Sequence, residues 1–320
     1  MNLITTAKNH PLRKAIMLGL SITLTAGLAG TAYSTNVSAA AQPTSLAAAT
    51  TSDKVFQVYE TYIKKPGKLA VARQYLLKNI SKVKAYPAMI MTLHLENAQK
   101  AQLEAASAKL YPAKVQKALE SAYSKKKDLS YPTLLQLIKD TKIRSLLIEA
   151  RDKGYKVGTS EGMYYLTMDY EGYKAFKPYV TKDIATYIDI MSVQTNKPAF
   201  SDAAIVISWD ELIRRTLALE NFVKSYPKSN RAKAMKLEYE GMRFHVFFGS
   251  SNTPVYNENS NYQFTTLLPK VRTAYEAAIQ KGTADSQLLT TIKKVLELLD
   301  SNEGLWSEEL DRYLKEQTER

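Results

Sequence analysis

The sequence predicts an all-α protein, a multi-helix bundle or helical-repeat-like array with one β-hairpin near residues 154–170. Apolar residues recur every three or four positions along most of the chain, which is typical of helices with one buried face. The dipeptide Tyr-Pro recurs between such segments, at Tyr86, Tyr111 and Tyr131. Residues 154–173 break this period, because β-forming residues cluster there between glycines.

The first 41 residues are expected to be a signal peptide. Lys8, Arg13 and Lys14 precede an apolar run from Ala15 to Ala32, and small residues at positions 37–41 offer cleavage sites. Glycines and hydroxyl residues weaken the run as a membrane span, so we expect cleavage; an uncleaved anchor is the alternative. Residues 42–51 are then predicted to be a flexible linker.

The long basic start and the alanine-rich stretch from Ala39 to Ala49 resemble signal peptides of Gram-positive bacteria. This resemblance implies an exported bacterial protein. The absence of cysteine is consistent with that expectation, since such a chain has neither disulfides nor a lipidated cysteine.

Residues 52–153 are predicted to form a basic helical subdomain. Proline is tolerated in the first turn of a helix and disfavours helical conformation in the residue before it, so each Tyr-Pro marks a helix start. The predicted helices are about 52–65, 68–84, 88–109, 113–127 and 133–153.

Residues 154–173 are predicted to be a β-hairpin connector, followed by a near-neutral helical subdomain at 174–320. Ser208 and Glu211 have the spacing of a capping box, Ser229 is placed to cap the next helix, and Gly249 is placed to end it. Residues 250–261 are expected to form a polar loop. The predicted helices are about 182–195, 208–226, 229–249, 269–281, 284–300 and 307–319.

One helical junction has a recognisable sequence. ENFVKSYPKS, starting at Glu220, is followed by Ala232 and Ala234, and the segment 212–248 resembles the helix-turn-helix joint of tetratricopeptide-like repeats. The resemblance implies a helical binding surface rather than a catalytic centre.

The excess of positive charge lies in the first part of the chain. The whole sequence has a formal net charge of +13. Residues 42–153 contain 20 Lys and Arg against 9 Asp and Glu, whereas residues 154–320 contain 21 against 22. A lysine-rich surface outside a cell attracts anionic wall polymers or lipid headgroups in a salt-dependent way. The competing explanation is that these lysines only keep the helical part of the protein soluble.

The segment Gly158 to Gly162, GTSEG, fits the G-x-S-x-G pattern of a nucleophilic serine. An acid such as Asp169 or Asp202 and then His245 would complete a triad. However, a strand-like segment rather than a helix follows the serine, and the chain lacks alternating strands and helices. We therefore interpret Ser160 as a turn residue and His245 as a structural histidine.

Glu161 is the candidate for an alternative, enzymatic function. A glycosidase acting on cell walls needs a second carboxylate about 5 Å or about 6.5–9.5 Å from the first. Asp169, Glu171 and Asp210 are candidate partners by sequence. The other interpretation of Glu161 is a solvated turn residue.

The candidate binding residues lie where tyrosine and lysine alternate. Aromatic rings beside ammonium groups bind sugar rings or single-stranded nucleic acid by stacking and charge, whereas most tyrosines are expected to face the core. We expect residues 123–131 to stay exposed, because they end a helix and contain three consecutive lysines. The candidates are Lys64, Lys65, Tyr123, Lys125, Lys126, Lys127 and Tyr131.

The sequence predicts neither a metal site nor a cofactor. After export only His94 and His245 remain, without cysteine, and the loop 257–261 has a single carboxylate. We expect a non-enzymatic, envelope-associated binding or scaffold protein whose basic helices contact anionic wall or membrane polymers. The near-neutral helices would offer a surface to a protein partner, and no motif favours nucleic acid.

Overall fold

The all-α fold class is confirmed. The computed structural model describes residues 49–280 and 282–318, and over these ranges it contains thirteen α-helices and four two-stranded antiparallel pairs. The predicted signal peptide and residues 42–48 of the predicted linker lie outside the described residues. None of the described helices is long and apolar enough to cross a membrane.

Six helices form the basic part of the chain, which we define as residues 52–153. The Tyr-Pro dipeptides lie within two residues of three helix starts, as predicted. The helices are α1 (Thr51–Ile63), α2 (Leu69–Asn79), α3 (Ala85–Ala108), α4 (Ala113–Lys125), α5 (Tyr131–Leu137) and α6 (Thr141–Lys153), with 3₁₀ turns at Pro66–Lys68 and Ile80–Lys82.

The predicted helix 133–153 is two helices. Ile138 adopts an extended conformation, with φ −87° and ψ 121°, and ends α5. Asp140 then begins α6, because its carboxylate accepts the backbone N–H groups of Lys142 at 2.9 Å and Ile143 at 3.1 Å. Such a cap satisfies donors that a helix start leaves unpaired. The predicted helix 68–84 also ends early, at Asn79.

The predicted hairpin is confirmed. β1 (Tyr155–Ser160) pairs with β2 (Met163–Met168) through a two-residue turn at Glu161 and Gly162. Both turn residues have positive φ, 50° and 75°, as a type I′ turn requires. β2 packs against α3 and α4, and alternate side chains, Tyr164 and Leu166 among them, are buried.

Side chains cover the outer backbone of this hairpin. The amide of Gln116 accepts the N–H of Tyr164 at 2.9 Å and donates to its carbonyl at 2.7 Å. The hydroxyl of Ser107 accepts the N–H of Leu166 at 3.0 Å. On β1, Tyr131 donates its hydroxyl to the carbonyl of Tyr155 at 2.9 Å. Helical side chains thus provide hydrogen bonds that a third strand would otherwise make.

Seven further helices belong to the near-neutral part, which we define as residues 154–320. Ser208 caps α9, accepting the N–H of Glu211 at 3.3 Å, and Gly249 ends α10, both as predicted. However, α10 begins after Arg231, not after Ser229. The helices are α7 (Tyr170–Tyr173), α8 (Lys182–Asn196), α9 (Trp209–Ser225), α10 (Ala232–Phe248), α11 (Pro269–Ile279), α12 (Gln287–Ser301) and α13 (Glu308–Thr318), with a 3₁₀ turn at Lys174–Tyr179.

Three short strand pairs were not predicted from the sequence. Two of the pairs lie wholly or partly where a polar loop was expected. The strands are β3 (Phe200–Ser201) with β4 (Ala204–Ile205), β5 (Gly249–Ser250) with β6 (Thr253–Pro254), and β7 (Tyr256–Glu258) with β8 (Phe264–Leu267).

Residues from Thr51 onward form one compact unit. Helices α9 and α10 pack against each other within it, and the tetratricopeptide-like character of residues 212–248 stays a prediction. The sequence-based boundary near residue 154 also stays a prediction.

A buried charged cluster connects the basic and near-neutral parts. Glu96 on α3 is 1% exposed, and its Oε2 accepts Nε and Nη2 of Arg231 at 3.0 and 2.5 Å. Its Oε1 accepts the hydroxyls of Tyr170 and Tyr187 and lies 2.7 Å from Nζ of Lys100. Burial would raise the pKa of Glu96, but the two cations outweigh it and lower the pKa.

Candidate polymer-binding surface

Helices α4, α5 and α6 present a group of exposed lysines. Nζ of Lys114, at the start of α4, lies 2.7 Å from Oδ2 of Asp140, which caps α6. Helix α5 packs on both neighbours, so the three helices are adjacent in the fold. The lysine patch, as we define it, consists of Lys114, Lys117, Lys125, Lys126, Lys127, Lys139 and Lys142, all exposed.

Two acidic residues within this surface accept hydrogen bonds from hydroxyl and backbone groups. Glu120 accepts the hydroxyls of Tyr164 at 2.6 Å and Ser124 at 2.9 Å, which lowers its pKa. Hydrogen bonds from Thr133 and from the backbone and hydroxyl of Ser130 lower the pKa of Asp128 to about 2. These carboxylates are therefore anionic at neutral pH, and they bind neutral groups rather than lysine ammoniums.

Most of the patch has no ion-pair partner in the described part of the chain. Lys114 forms a salt bridge with Asp140. The other six lysines form none with described residues, although Lys126 lies close enough to Asp128, and Lys127 close enough to Glu120, to lower the pKa of each carboxyl. The patch thus retains most of its positive charge.

The near-neutral part does not neutralise the basic part. Within residues 49–280 and 282–318, every salt bridge made by a lysine or arginine of the basic part goes to a carboxylate of the same part. Among the described residues, one salt bridge joins the two parts, and in it Arg231 of the near-neutral part binds Glu96 of the basic part. The charge surplus seen in the sequence therefore persists in the folded protein.

Tyr123 and Tyr131 are half-buried, against the expectation that residues 123–131 stay exposed. The ring of Tyr123 packs edge-to-face on Tyr164, with centroids 6.1 Å apart, and Nζ of Lys127 lies 4.6 Å from its centroid. The hydroxyl of Tyr131 is bound to β1, and burial raises its pKa. The lysines of this segment are accessible, whereas the two rings pack against the hairpin.

Lys64 and Lys65 are exposed at the end of α1, where Lys64 lies 3.6 Å from Glu60. Beside them is an open groove between α1 and α2 with a volume of about 470 Å³. The sequence did not predict this groove, because it depends on how two helices pack. Its lining residues are Tyr62, Ala70, Val71, Gln74, Tyr75, Lys78 and Asp152.

The candidate catalytic carboxylates are not brought together as a pair around Glu161. Glu161 is exposed at the hairpin turn, whereas Asp169 follows the far end of β2 and caps α7 by accepting the N–H of Gly172 at 3.2 Å. The length of β2 separates them by about 20 Å, at about 3.3 Å per residue. This exceeds the spacing of a glycosidase pair.

Of the two other acids proposed as partners of Glu161, one is exposed to solvent and the other is held by hydrogen bonds. Asp210 is exposed in the first turn of α9. Glu171 accepts hydrogen bonds from Ser192, Lys174 and Asn196, which lower its pKa to about 2. Such a low pKa does not suit a general acid at neutral pH.

Ser160 and His245 have separate partners. The hydroxyl of Ser160 lies 3.2 Å from that of Ser201, at the tip of the β3–β4 turn. His245 Nδ1 lies 2.7 Å from the carbonyl oxygen of Gly249, and its ring centroid is 4.4 Å from that of Phe200. Burial lowers the pKa of His245. These contacts agree with a turn serine and a structural histidine.

Comparison with known proteins adds no relative: no family model, curated protein or solved structure matches the chain. The function of the lysine patch must therefore be inferred from its geometry and charge.

Proposed function

We propose that the protein is an exported, envelope-associated and non-enzymatic binding or scaffold protein. Its basic helices contact anionic cell-wall or membrane polymers through the lysine patch. The near-neutral part offers a surface to a protein partner, and exposed apolar side chains such as Leu237 and Leu305 are available for it.

The observation that carries the proposal is the unneutralised charge of the lysine patch. Six of its seven ammonium groups lack an ion-pair partner among the described residues, and the near-neutral part supplies no carboxylate to any of them. Screening limits the attraction to about 8 Å at physiological ionic strength, so several lysines on one surface must act together on a flexible polyanion.

The test uses the full chain, because the basic part contains buried groups that need the near-neutral part. Glu96 pairs with Arg231, and Ser107 and Gln116 bind the backbone of β2. A fragment that ended before the hairpin would leave these groups without their partners.

The first prediction concerns three lysines of the patch. Replacing Lys125, Lys126 and Lys127 with Gln together removes three exposed charges and is expected to weaken retention on insoluble anionic wall polymer by about tenfold at about 0.05 M salt. Wild-type retention is expected to fall by a similar factor at about 0.5 M salt. Co-sedimentation with the polymer, and separately with anionic vesicles, measures both effects.

The matched control replaces three exposed lysines of the near-neutral part, Lys228, Lys233 and Lys270, with Gln. It changes the net charge equally and is expected to change retention less than about twofold. Equal weakening by both triple variants, or no retention of the wild type on either anionic surface, would contradict the proposal.

A further inference from the structure

We propose that the groove between α1 and α2 is a binding subsite for the neutral pyranose rings of a glycan. This rests on the proposed function in one respect, since the glycan is taken to be the carbohydrate portion of an envelope polymer. The groove lies outside the lysine patch and differs from it in chemistry.

The groove contains a pair of tyrosine rings. Tyr62 on α1 and Tyr75 on α2 pack edge-to-face in the groove, with centroids 5.5 Å apart and planes at 62°. Both rings are only half-buried. An aromatic ring has a negative face, and one side of a pyranose ring presents C–H groups of weak positive charge. Half-exposed tyrosines in a groove therefore offer a packing surface for sugar rings.

The groove has the size of a small-molecule site and an apolar side. Its volume of about 470 Å³ lies in the range of about 300–1,000 Å³ that is usual for small-molecule sites. Val71 lines it and is 42% exposed, so it adds apolar surface beside the two rings. Ala70 leaves room beside it.

Polar side chains surround the two rings. Gln74, Lys78 and Asp152 line the groove. Asp152 interacts with Arg151 through Oδ1 at 2.9 Å, so Oδ2 remains as an acceptor. Burial and the neighbouring Tyr62 raise the pKa of Tyr75, so its hydroxyl stays protonated. Sugar hydroxyls need such a mixture of donors and acceptors.

The lining of the groove carries no net charge, since Lys78 and Asp152 contribute one charge of each sign. The lysine patch, by contrast, carries an excess of ammonium groups. The groove is therefore suited to the uncharged rings of a polymer, and the patch to its anionic substituents.

The two surfaces are linked by one helix. Helix α6 begins at the lysine patch, which includes Lys142, and Asp152 near its end lines the groove. Ten residues of helix span about 15 Å. An extended polymer can bridge this distance and contact both surfaces, which would increase its affinity without new contacts at either.

The test is calorimetric titration of the full chain with two neutral probes, the β-1,4-linked tetramers of N-acetylglucosamine and of glucose. We expect at least one tetramer to bind, with an affinity that does not change with salt. Tyr62→Ala is expected to weaken binding by about tenfold, because it removes the packing surface. Ala70→Met, which fills the groove with a side chain that has no aromatic ring, is expected to have the same effect without altering the helix pair.

Tyr111→Ala is the matched control, since Tyr111 is 49% exposed and lies outside the groove. It should bind as the wild type does, and melting curves should show that the variants are folded. The inference is overturned if neither tetramer binds at about 10 mM, or if Tyr62→Ala and Ala70→Met both bind normally. Sugar binding without polyanion retention would support the groove and overturn only the proposed function.

Discussion

Three residues at the tips of neighbouring hairpins have left-handed backbone conformations that usually require glycine or asparagine. Glu161, Asp202 and Ala203 have φ values of 50°, 47° and 52°. The tips are held together by side chains: Ser160 contacts Ser201, and the amide of Asn252 donates to the carbonyl of Asp202 at 2.6 Å. The local strain is therefore maintained by contacts between turns.

Ala203 offers a direct test at the scale of one residue. A Cβ atom in the left-handed region costs about 1–2 kcal/mol, while glycine loses about 0.5–1 kcal/mol through the greater freedom of the unfolded chain. Ala203→Gly should therefore increase the free energy of unfolding by about 0.5–1 kcal/mol. Denaturant unfolding measures the change.

The control for Ala203 is its neighbour Ala204, which lies in β4 and does not have a positive φ. Ala204→Gly should decrease the free energy of unfolding, because glycine weakens a strand without relieving strain. Stabilisation of both variants, or of neither, would show that the left-handed conformation is not the cause.

At the scale of elements, β2 depends on side chains from helices. Gln116 on α4 is the main one, since its amide binds the N–H and the carbonyl of Tyr164 and also donates to the carbonyl of Leu110 at 2.8 Å. The side chain of Tyr164 is 1% exposed. Removal of the amide leaves backbone groups of a buried residue without partners.

Gln116→Ala should therefore lower the free energy of unfolding by about 2–3 kcal/mol. Hydrogen exchange of the Tyr164 amide should become faster, while amides in α9 keep their protection. Lys117→Ala, the same change at an exposed neighbour, should alter stability by less than about 0.5 kcal/mol. If the Tyr164 amide exchanges at the wild-type rate in Gln116→Ala, another group protects it.

Local signals made some elements predictable. Ser208 caps α9 because its hydroxyl reaches an N–H three residues away, and Gly249 ends α10 with φ 73°; both depend on nearby residues alone. The sequence did not predict the break between α5 and α6, because apolar spacing continues through it. Helix α12 has a local cap, since Ser286 accepts the N–H of Leu289 at 3.1 Å. Its second cap could not be predicted from local spacing, because Glu220 on α9 accepts the N–H of Gln287 at 2.7 Å.

The candidate surface was predictable to a similar extent. Lys125, Lys126 and Lys127 were expected to be exposed from their position at a helix end, and they are. The proximity of Lys114 to the start of α6, which carries Lys142, arises from the packing of helices, which the sequence pattern does not specify. The groove at Tyr62 and Tyr75 is likewise a contact between two helices, so no local spacing indicated it.

At the scale of the whole molecule, Glu96 couples the two charge regions. Its carboxylate is buried between Lys100 of the basic part and Arg231 of the near-neutral part. Because its pKa is lowered in the folded state, the unfolded state binds more protons in mild acid. The stabilisation is complete above the unfolded pKa, about 4.3, and is lost as pH falls through the lower folded value.

Glu96→Gln should lower the free energy of unfolding at neutral pH by about 3–5 kcal/mol, because two cations lose their buried counter-charge. The variant should also show a shallower fall in stability below about pH 5 than the wild type. Urea unfolding at a series of pH values measures both effects. Glu104→Gln, at an exposed position of the same helix, should change neither quantity appreciably; a parallel pH profile in wild type and Glu96→Gln would contradict the coupling.

The covering of β1 and β2 by Gln116, Ser107 and Tyr131 also affects how copies of the protein meet at high concentration. An uncovered hairpin presents free amide and carbonyl groups to which an extended segment of another molecule can add. Here the N–H and carbonyl of Tyr164, the N–H of Leu166 and the carbonyl of Tyr155 are already occupied. Addition of a strand from another copy is thereby hindered, most of all at β2, where three of these groups lie.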